Sequence, residues 1–333
     1  MEKKEIVVSG IRSTGHLHLG NYLGAIHNYK QMQDDYDCYF FVADYHSLTT
    51  HPDAKEMKQS VFRVVAENIA SGIDPEKACL YVQSDLPETA ELYLLLNMLA
   101  YKGELERVPT FKDKVRQHPE NVNAGLLTYP VLMAADILIH KATKVPVGND
   151  QDQHLEMARN FANRFNHRYG DLFPEPFPFR QSETNVRVMG LDGEGKMSKS
   201  ENENATIFLS DSDDTILRKI KRAKTDSGPT APNMDKPDYI QNLFNLLEVV
   251  STPDVFQQFE KDYNECAIRY GDFKGQLAED MIKFISPIRE KAAALQRDEA
   301  QLQKILNLGA EKARESARKT VEEARRLIGL NYK

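Results

Sequence analysis

The stretch EIVVSGIRSTGHLHLGNYLGA, residues Glu5–Ala25, decides the fold. Glu5–Ser9 is a short, β-branched apolar run of the kind that forms a buried strand. A glycine-bearing loop follows, and a helix is expected from about Gly20. A buried strand feeding such a turn and then a helix opens a β-α unit of a parallel sheet, whose ligands gather beyond the carboxyl ends of the strands. Gly10, Gly15 and Gly20 then have two readings. They let backbone approach a phosphate or carboxylate at a helix start, or they serve an ordinary tight turn in which the histidines are merely polar.

Outward from this unit the rhythm repeats. Strands are expected at Cys38–Ala43, Ala78–Gln83 and Lys144–Val147. Between and after them lie helical patterns at Ala54–Ser71, Pro87–Leu99, Thr128–Ile139 (helix-like after Pro130) and Asp150–Phe165. Alternation of this kind predicts an α/β fold with helices on both faces of a parallel sheet. The proline-rich FPEPFPF, Phe173–Phe179, breaks the pattern. Beyond Asp213 the pattern is almost wholly helical, with candidate helices near Asp213–Arg222, Pro237–Val250, Gln276–Leu295 and Ala310–Ile328. Ala313, Ala317, Val321, Ala324 and Leu327 recur at three or four and form one buried face. A domain boundary is placed near residue 203, giving 1–203 as the sheet-bearing domain, 204–300 as a helical domain and 301–333 as a terminal helix that packs back toward the first.

Bulk properties narrow the class. A length of 333 residues suits two domains, and 41% hydrophobic with 28% charged residues is ordinary globular composition. No apolar run approaches the roughly 18–20 residues that cross a bilayer, and MEKKEIVVSG runs directly into a strand, unlike a secretory or transit segment. Cys38, Cys79 and Cys266 are far apart, so neither a disulfide framework, a zinc site nor an iron–sulfur cluster is expected, and no metal-ligating residue is assigned. A reducing, cytoplasmic setting with no membrane partner follows. The net charge of −7 argues against indiscriminate polyanion binding, DNA included, but allows a local basic patch. The chain has no tryptophan.

A second chemical motif lies at Gly190–Ser200, GLDGEGKMSKS. Flexible glycines precede two lysines spaced three apart. Two mobile ammonium groups closing over a triphosphate would stabilise charge passing to departing pyrophosphate. A solvated Lys/Ser loop is the bland alternative. The pairing with HLGN at His18–Asn21, about 180 residues earlier, is more specific than either string alone.

HLGN and KMSKS together resemble the two signature motifs of class I aminoacyl-tRNA synthetases. Within that class the chain resembles the tryptophanyl-tRNA synthetases, through GHLHLGNYLGA (Gly15–Ala25), FFVADYHSLT (Phe40–Thr49), LPETAELYLLLN (Leu86–Asn97), TFKDK (Thr110–Lys114), LTYPVLMAADIL (Leu127–Leu138) and VPVGNDQDQHLEMARNFANRFN (Val145–Asn166). The likeness spans nearly the whole chain and is densest up to Ser200. It implies a Rossmann-like catalytic domain followed by an all-helical anticodon-binding domain. It also implies a homodimer, with L-tryptophan, ATP with Mg²⁺, and the tRNA for tryptophan as substrates and partners.

The resemblance also assigns residues. Asp136, a carboxylate on an apolar helix that needs a partner in any case, would accept the indole N–H. A site built on such a bond rejects analogues lacking it by about 10⁴–10⁵. Met133, Val145 and Val147 would wall the indole pocket, with Val8 and Gly10 opposite and His46 at its edge; Tyr129 and Gln151 would hold the α-amino group. ATP would be bound by Arg12, Ser13, Thr14, Gly20, Asn21, Gly148, Asn149, Asp150, Val188, Lys196, Met197, Ser198, Lys199 and Ser200. The catalytic set would be Lys196, Lys199, Lys114, His18 and Asn21, with His16 incidental. Arg12, Thr110 and Asn149 depart from the commoner residues of the family, and an arginine at 12 would reach the α-phosphate or the substrate carboxylate. Arg218, Lys219, Lys221, Arg222 and Lys224 form a basic run that either meets tRNA or is a solvated helix face. The rival readings are a tyrosyl-tRNA synthetase of the same fold, a nucleotidyltransferase, and an RNA-binding paralogue without catalysis.

Overall fold

A computed structural model describes residues 4–13, 15–117, 119–148, 151–179, 188–195, 197 and 202–332, with backbone alone at Ala25 and His27. Strands β1 (Ile6–Arg12), β2 (Asp37–Ala43), β3 (Cys79–Val82), β4 (Lys144–Pro146) and β5 (Phe177–Phe179) form one sheet in the order β3-β2-β1-β4-β5. Every pairing in it is parallel. The order runs outward in both directions from β1, so the chain changes direction between β1 and β4. That is the switch point, where an open parallel sheet leaves a crevice beyond its carboxyl ends.

The α/β class and four of the strands are those the sequence predicts. The fifth corrects the reading of the proline-rich stretch as a mere break. Pro178 has no N–H, so it fits only at an edge, and β5 is the edge. Phe177 N–H donates to Thr143 O at 2.9 Å, and the Lys144 ammonium sits 5.5 Å from the centre of the Phe179 ring.

The helices are α1 (Leu19–Asn21, running into a π-helical turn at Tyr22–Ile26), α2 (His27–Asp35), α3 (Asp44–Ser47), α4 (Ala54–Ala70), α5 (Pro87–Asn97), α6 (Lys102–Leu105), α7 (Pro109–Gln117), α8 (Ala124–Leu138), α9 (Asp152–Tyr169), α10 (Asp213–Lys221), α11 (Asp238–Val250), α12 (Pro253–Asn264), α13 (Tyr270–Arg297) and α14 (Glu299–Ile328). Local chemistry sets several ends. Asp53 caps α4 through Lys55 N–H, Pro87 occupies the first turn of α5, and Asn123 caps α8 through Leu126 N–H. That last cap starts α8 six residues before Pro130, so the helix does not wait for the proline; Pro130 sits buried inside it. Helix α12 was missing from the reading, although Val255, Phe256, Phe259 and Tyr263 carry a helical spacing behind Thr252-Pro253.

Alternation along the strands divides the interior in two. Val7, Ile11, Phe40, Val42, Leu80 and Val82 face one core, shared with α2, α4 and α10–α13. Val8, Phe41, Ala43, Cys79 and Tyr81 face the other, shared with α5, α8 and α9. Helix α14 belongs to both. Leu302 and Leu306 lie in the first core, Ala310, Ala313, Ala317, Val321 and Ala324 in the second. It therefore passes across the β3 edge, which covers an otherwise open strand. The crossing is at Gly309: a Cβ there would lie 1.8 Å from Leu80 O, and Cys79 Sγ donates to Gly309 O at 3.0 Å.

Candidate active site

The switch-point crevice is built from two faces. Tyr129, Met133 and Asp136 are four and three apart, so they share one side of α8. Val8, Gly10 and Arg12 alternate onto one side of β1. Val8, Met133, Val145 and Val147 pack in the same core. Gly10 lets the Phe41 ring lie close against this strand face: a Cβ there would lie 2.8 Å from Phe41 Cζ.

At the floor lies Asp136, 3% exposed. His46 Nε2 is 2.8 Å from Oδ2, and Gln83 Nε2 donates to Oδ1 at 2.7 Å. The neighbours of this carboxylate are themselves held. Tyr45 N–H donates to Gln83 Oε1 at 3.1 Å, which turns the amide so that its NH₂ faces Asp136. Asp44 Oδ1 accepts from Tyr45 N–H and Ser84 N–H, tying α3 to the end of β3. Burial raises the Asp136 carboxyl above the ordinary aspartate range; the bond and charge of His46, then the Gln83 bond, oppose it.

Nearer the mouth Tyr129, Thr110, His154 and Gln151 form one polar chain. Tyr129 Oη is 2.6 Å from both Thr110 Oγ1 and His154 Nε2, and His154 Nδ1 is 2.9 Å from Gln151 Oε1. With Nδ1–H donating to the glutamine oxygen, a neutral imidazole accepts the tyrosine proton at Nε2. Burial raises the Tyr129 hydroxyl, with the Thr110 bond opposing, so it stays protonated in neutral solution.

Several of the residues expected to meet ATP lie at or near the end of β1. Arg12 is exposed and Lys114 of α7 half-buried. Burial and then the Arg12 charge lower the Lys114 ammonium, so two cations face one another here. Ser13 is buried, its Oγ 2.5 Å from Ser47 Oγ. His18 caps α1 reciprocally: Asn21 N–H donates to Nδ1 at 3.3 Å, and His18 N–H to Asn21 Oδ1 at 3.1 Å. Gly20 stands against the second motif, since a Cβ on it would lie 3.6 Å from Met197 Cβ. Met197 is buried, and its N–H donates to Val188 O at 2.9 Å. The backbone of the first motif pairs with the segment after the second: Leu19 N–H donates to Ile207 O and Leu209 N–H to Leu17 O. HLGN and KMSKS, distant in sequence, thus meet at Gly20 and Met197.

Gly148 is exposed at the end of β4, its carbonyl accepting from Gln151 N–H. Thr14, Asn149, Asp150, Lys196, Ser198, Lys199 and Ser200 lie outside the described residues. The basic run divides. Lys219 is buried, donating to Asp211 Oδ2 and Thr206 O, both at 2.7 Å, whereas Arg218, Lys221, Arg222 and Lys224 are exposed. Gln83 and His154 went unnoticed in the sequence. The position of Gln83, just past a strand's carboxyl end, was the signal that could have found it; His154 had none beyond its helix.

Comparison with known proteins places this geometry. The family model described as tRNA synthetases class I (W and Y) matches residues 1–286. The chain is 56% identical to the tryptophan–tRNA ligase of Porphyromonas gingivalis over 98% of its own length and 99% of the relative's. It is 44% identical to that of Helicobacter pylori, over 99% of its own length and the relative's full length. Among solved structures it superposes on the Campylobacter jejuni tryptophanyl-tRNA synthetase complexed with ADP and tryptophan with a TM-score of 0.86, 35% identity, and coverage of 97% of this chain and 99% of that one. A parallel sheet with a buried acid beside its switch point, two motifs that meet at Gly20 and Met197, and full-length agreement of this kind have one reading: the chain belongs to the class I tRNA synthetases of the W and Y family.

Proposed function

We propose that this chain is a tryptophan–tRNA ligase, which activates L-tryptophan with ATP and transfers it to the 3′ end of its tRNA. One observation carries the choice of amino acid: the buried Asp136 carboxylate at the crevice floor, its two oxygens engaged by His46 and Gln83. Each carboxylate oxygen accepts more than one bond, so Asp136 retains acceptor capacity for an indole N–H. Val8, Met133, Val145 and Val147 supply apolar walls, and Gly10 admits the Phe41 ring beside them. The relatives at 35–56% identity named above bear tryptophan in their names. The tyrosyl-tRNA synthetase structure of Aeropyrum pernix, at 20% identity and a TM-score of 0.66, shares the fold alone.

In the first step the tryptophan carboxylate attacks the α-phosphate of ATP, giving tryptophanyl-adenylate and pyrophosphate. The nucleophile is already ionised at neutral pH, so catalysis reduces to positioning and charge stabilisation. Tyr129 and Gln151 hold the α-amino group. Arg12 reaches the substrate carboxylate or the α-phosphate. His18, Asn21 and the residues beyond β4 hold phosphate and ribose, and Val188 meets the adenine. Lys114, with Lys196 and Lys199, draws charge onto pyrophosphate. Magnesium would sit on the triphosphate, bound by phosphate oxygens and water; Arg12 and Lys114 at this end are cations and would meet the phosphates directly. In the second step the terminal 2′-hydroxyl of tRNA attacks the adenylate carbonyl, forming the tryptophanyl ester as the carbonyl–phosphate oxygen bond breaks and AMP leaves with the hydroxyl proton.

The chain works as a cytoplasmic homodimer in this reading, with 1–203 catalytic, 204–300 reading the anticodon and 301–333 returning to the first domain. No described helix is long and apolar enough to cross a membrane. The exposed cations at the end of α10 offer tRNA a surface. Pyrophosphate exchange into ATP, run with each amino acid in turn, tests the proposal. Exchange with tryptophan alone is expected; exchange with tyrosine, or with neither, overturns it.

A further inference from the structure

Helix α4 carries a buried carboxylate. Glu67 is 2% exposed among Val64, Val65, Ala66 and Ile69, in the first core. A buried carboxylate is expensive unless bonded, and both of its oxygens turn to the same short segment. Oε2 accepts from Leu17 N–H at 2.9 Å. Oε1 makes no hydrogen bond and lies 3.5 Å from Nδ1 of His16, the histidine with no assigned role. His16 Nδ1 is also 3.1 Å from Ser210 Oγ, and the His16 and His18 rings both meet Phe208 edge-on.

From the burial of Glu67 and its bond to Leu17 N–H, we propose that Glu67 is a positioning residue for the nucleotide-binding turn Gly15–Asn21, with His16 as its partner. Residue 17 is held from both sides. Glu67 fixes its N–H from below, and Leu209 N–H fixes its carbonyl from the segment that follows the KMSKS loop. The next residue, His18, bears the reciprocal cap with Asn21 and pairs with Phe208. A shift at Leu17 therefore moves His18 and Asn21. It leaves the Asp136 pocket alone, because that pocket opens on the opposite face of the sheet. The inference rests on the reading that this turn holds ATP, and it separates ATP from tryptophan as no general loss of stability would.

The test uses the full chain and two readouts. Calorimetric titration with ATP needs no amino acid; exchange kinetics give the KM of each substrate. Glu67→Ala, which loses the hydrogen bond of a charged acceptor to Leu17 N–H, is expected to weaken ATP binding about tenfold, and Glu67→Gln and His16→Ala, which lose only the longer His16–Glu67 contact, about threefold each. The KM for tryptophan stays within about twofold of wild type. The His16→Ala/Glu67→Gln double variant is less than additive. Unchanged ATP affinity in Glu67→Gln and His16→Ala, or an equal rise in the tryptophan KM, overturns the proposal. His16→Ala alters a part-exposed side chain, so it decides the matter even where Glu67→Ala does not fold. A wild type that binds ATP without exchange on tryptophan sinks the ligase reading while the Glu67 titrations still stand.

Discussion

Gln83 holds Asp136: its Nε2 donates to Oδ1 at 2.7 Å, across the gap between the end of β3 and the last turn of α8. The amide is locked from behind by Tyr45 N–H. Replacing Gln83 with leucine removes a donor from a buried carboxylate and leaves Tyr45 N–H without that partner. A hydrogen bond to a charged group contributes about 1.5–3 kcal/mol. The expected outcome is a rise of about tenfold or more in the KM for tryptophan, with the KM for ATP little changed, read from exchange kinetics. An unaltered tryptophan KM removes Gln83 from the site.

Asp136 itself separates activity from stability. Its carboxyl is raised by burial, so the folded state binds the proton more tightly than the unfolded chain. The sign follows. The stabilising contribution is complete below the ordinary aspartate value, declines as pH rises toward the folded value, and is lost above it. Above that window the ionised carboxylate is a cost that function retains. Asp136→Asn keeps the shape and an acceptor for Gln83. It is expected to lose tryptophan activation by about a hundredfold while its Tm equals or exceeds that of wild type at about pH 7, with the difference shrinking toward about pH 4. Thermal melts across pH check this. A variant that discriminates tryptophan from tyrosine as wild type does would dissolve the indole assignment.

The sequence made some of this legible and hid the rest for definable reasons. Period-2 and period-3.6 patterns exposed the β-α alternation, and the apolar setting of Asp136 marked it as a buried acid. What stayed hidden depends on distant pairing. The FPF triplet is a strand because β4 offers it an edge, which no local pattern shows. Gln83 and His154 matter because Asp136 and Tyr129 lie opposite them, 53 and 25 residues away in sequence. Lys219 read as one of five surface cations, yet it turns inward to Asp211, a pairing of i and i+8 that composition does not reveal.

Lys114 predicts a pH limb of its own. Burial and the facing Arg12 charge lower its ammonium below the ordinary lysine value. If it draws charge onto pyrophosphate, the exchange rate falls as pH rises, beginning below the pH at which a free lysine titrates. Arg12→Ala removes the like charge and moves that limb upward, though the variant is slower throughout. Lys114→Met lowers kcat by about ten- to a hundredfold, in line with loss of one preorganised charge, and abolishes the limb. Rate profiles of the three proteins decide it: a limb that persists in Lys114→Met belongs to another group.

Gly309 offers a test of how α14 is fastened. A methyl group there would sit 1.8 Å from the Leu80 carbonyl oxygen, a backbone atom of a strand flanked by both cores, so no side chain can swing aside. The helix must move outward, and with it the Cys79 Sγ bond to Gly309 O and the packing of Ala310 and Ala313 on the second core. Farther along, Arg318–Glu88, Arg325–Glu91 and Lys141–Glu323 ion pairs still anchor it, but each is partly open to solvent and contributes modestly. Gly309→Ala is therefore expected to cost about 1–3 kcal/mol or more, seen as a lower Tm. Hydrogen exchange should accelerate in β3 and α14 first, because the opened edge is there. The KM values should hold at low temperature, since neither Asp136 nor the Gly15–Asn21 turn touches Gly309. A Tm equal to wild type would mean that α14 slides along β3 at no cost, and that the close approach at Leu80 is not what fixes its register.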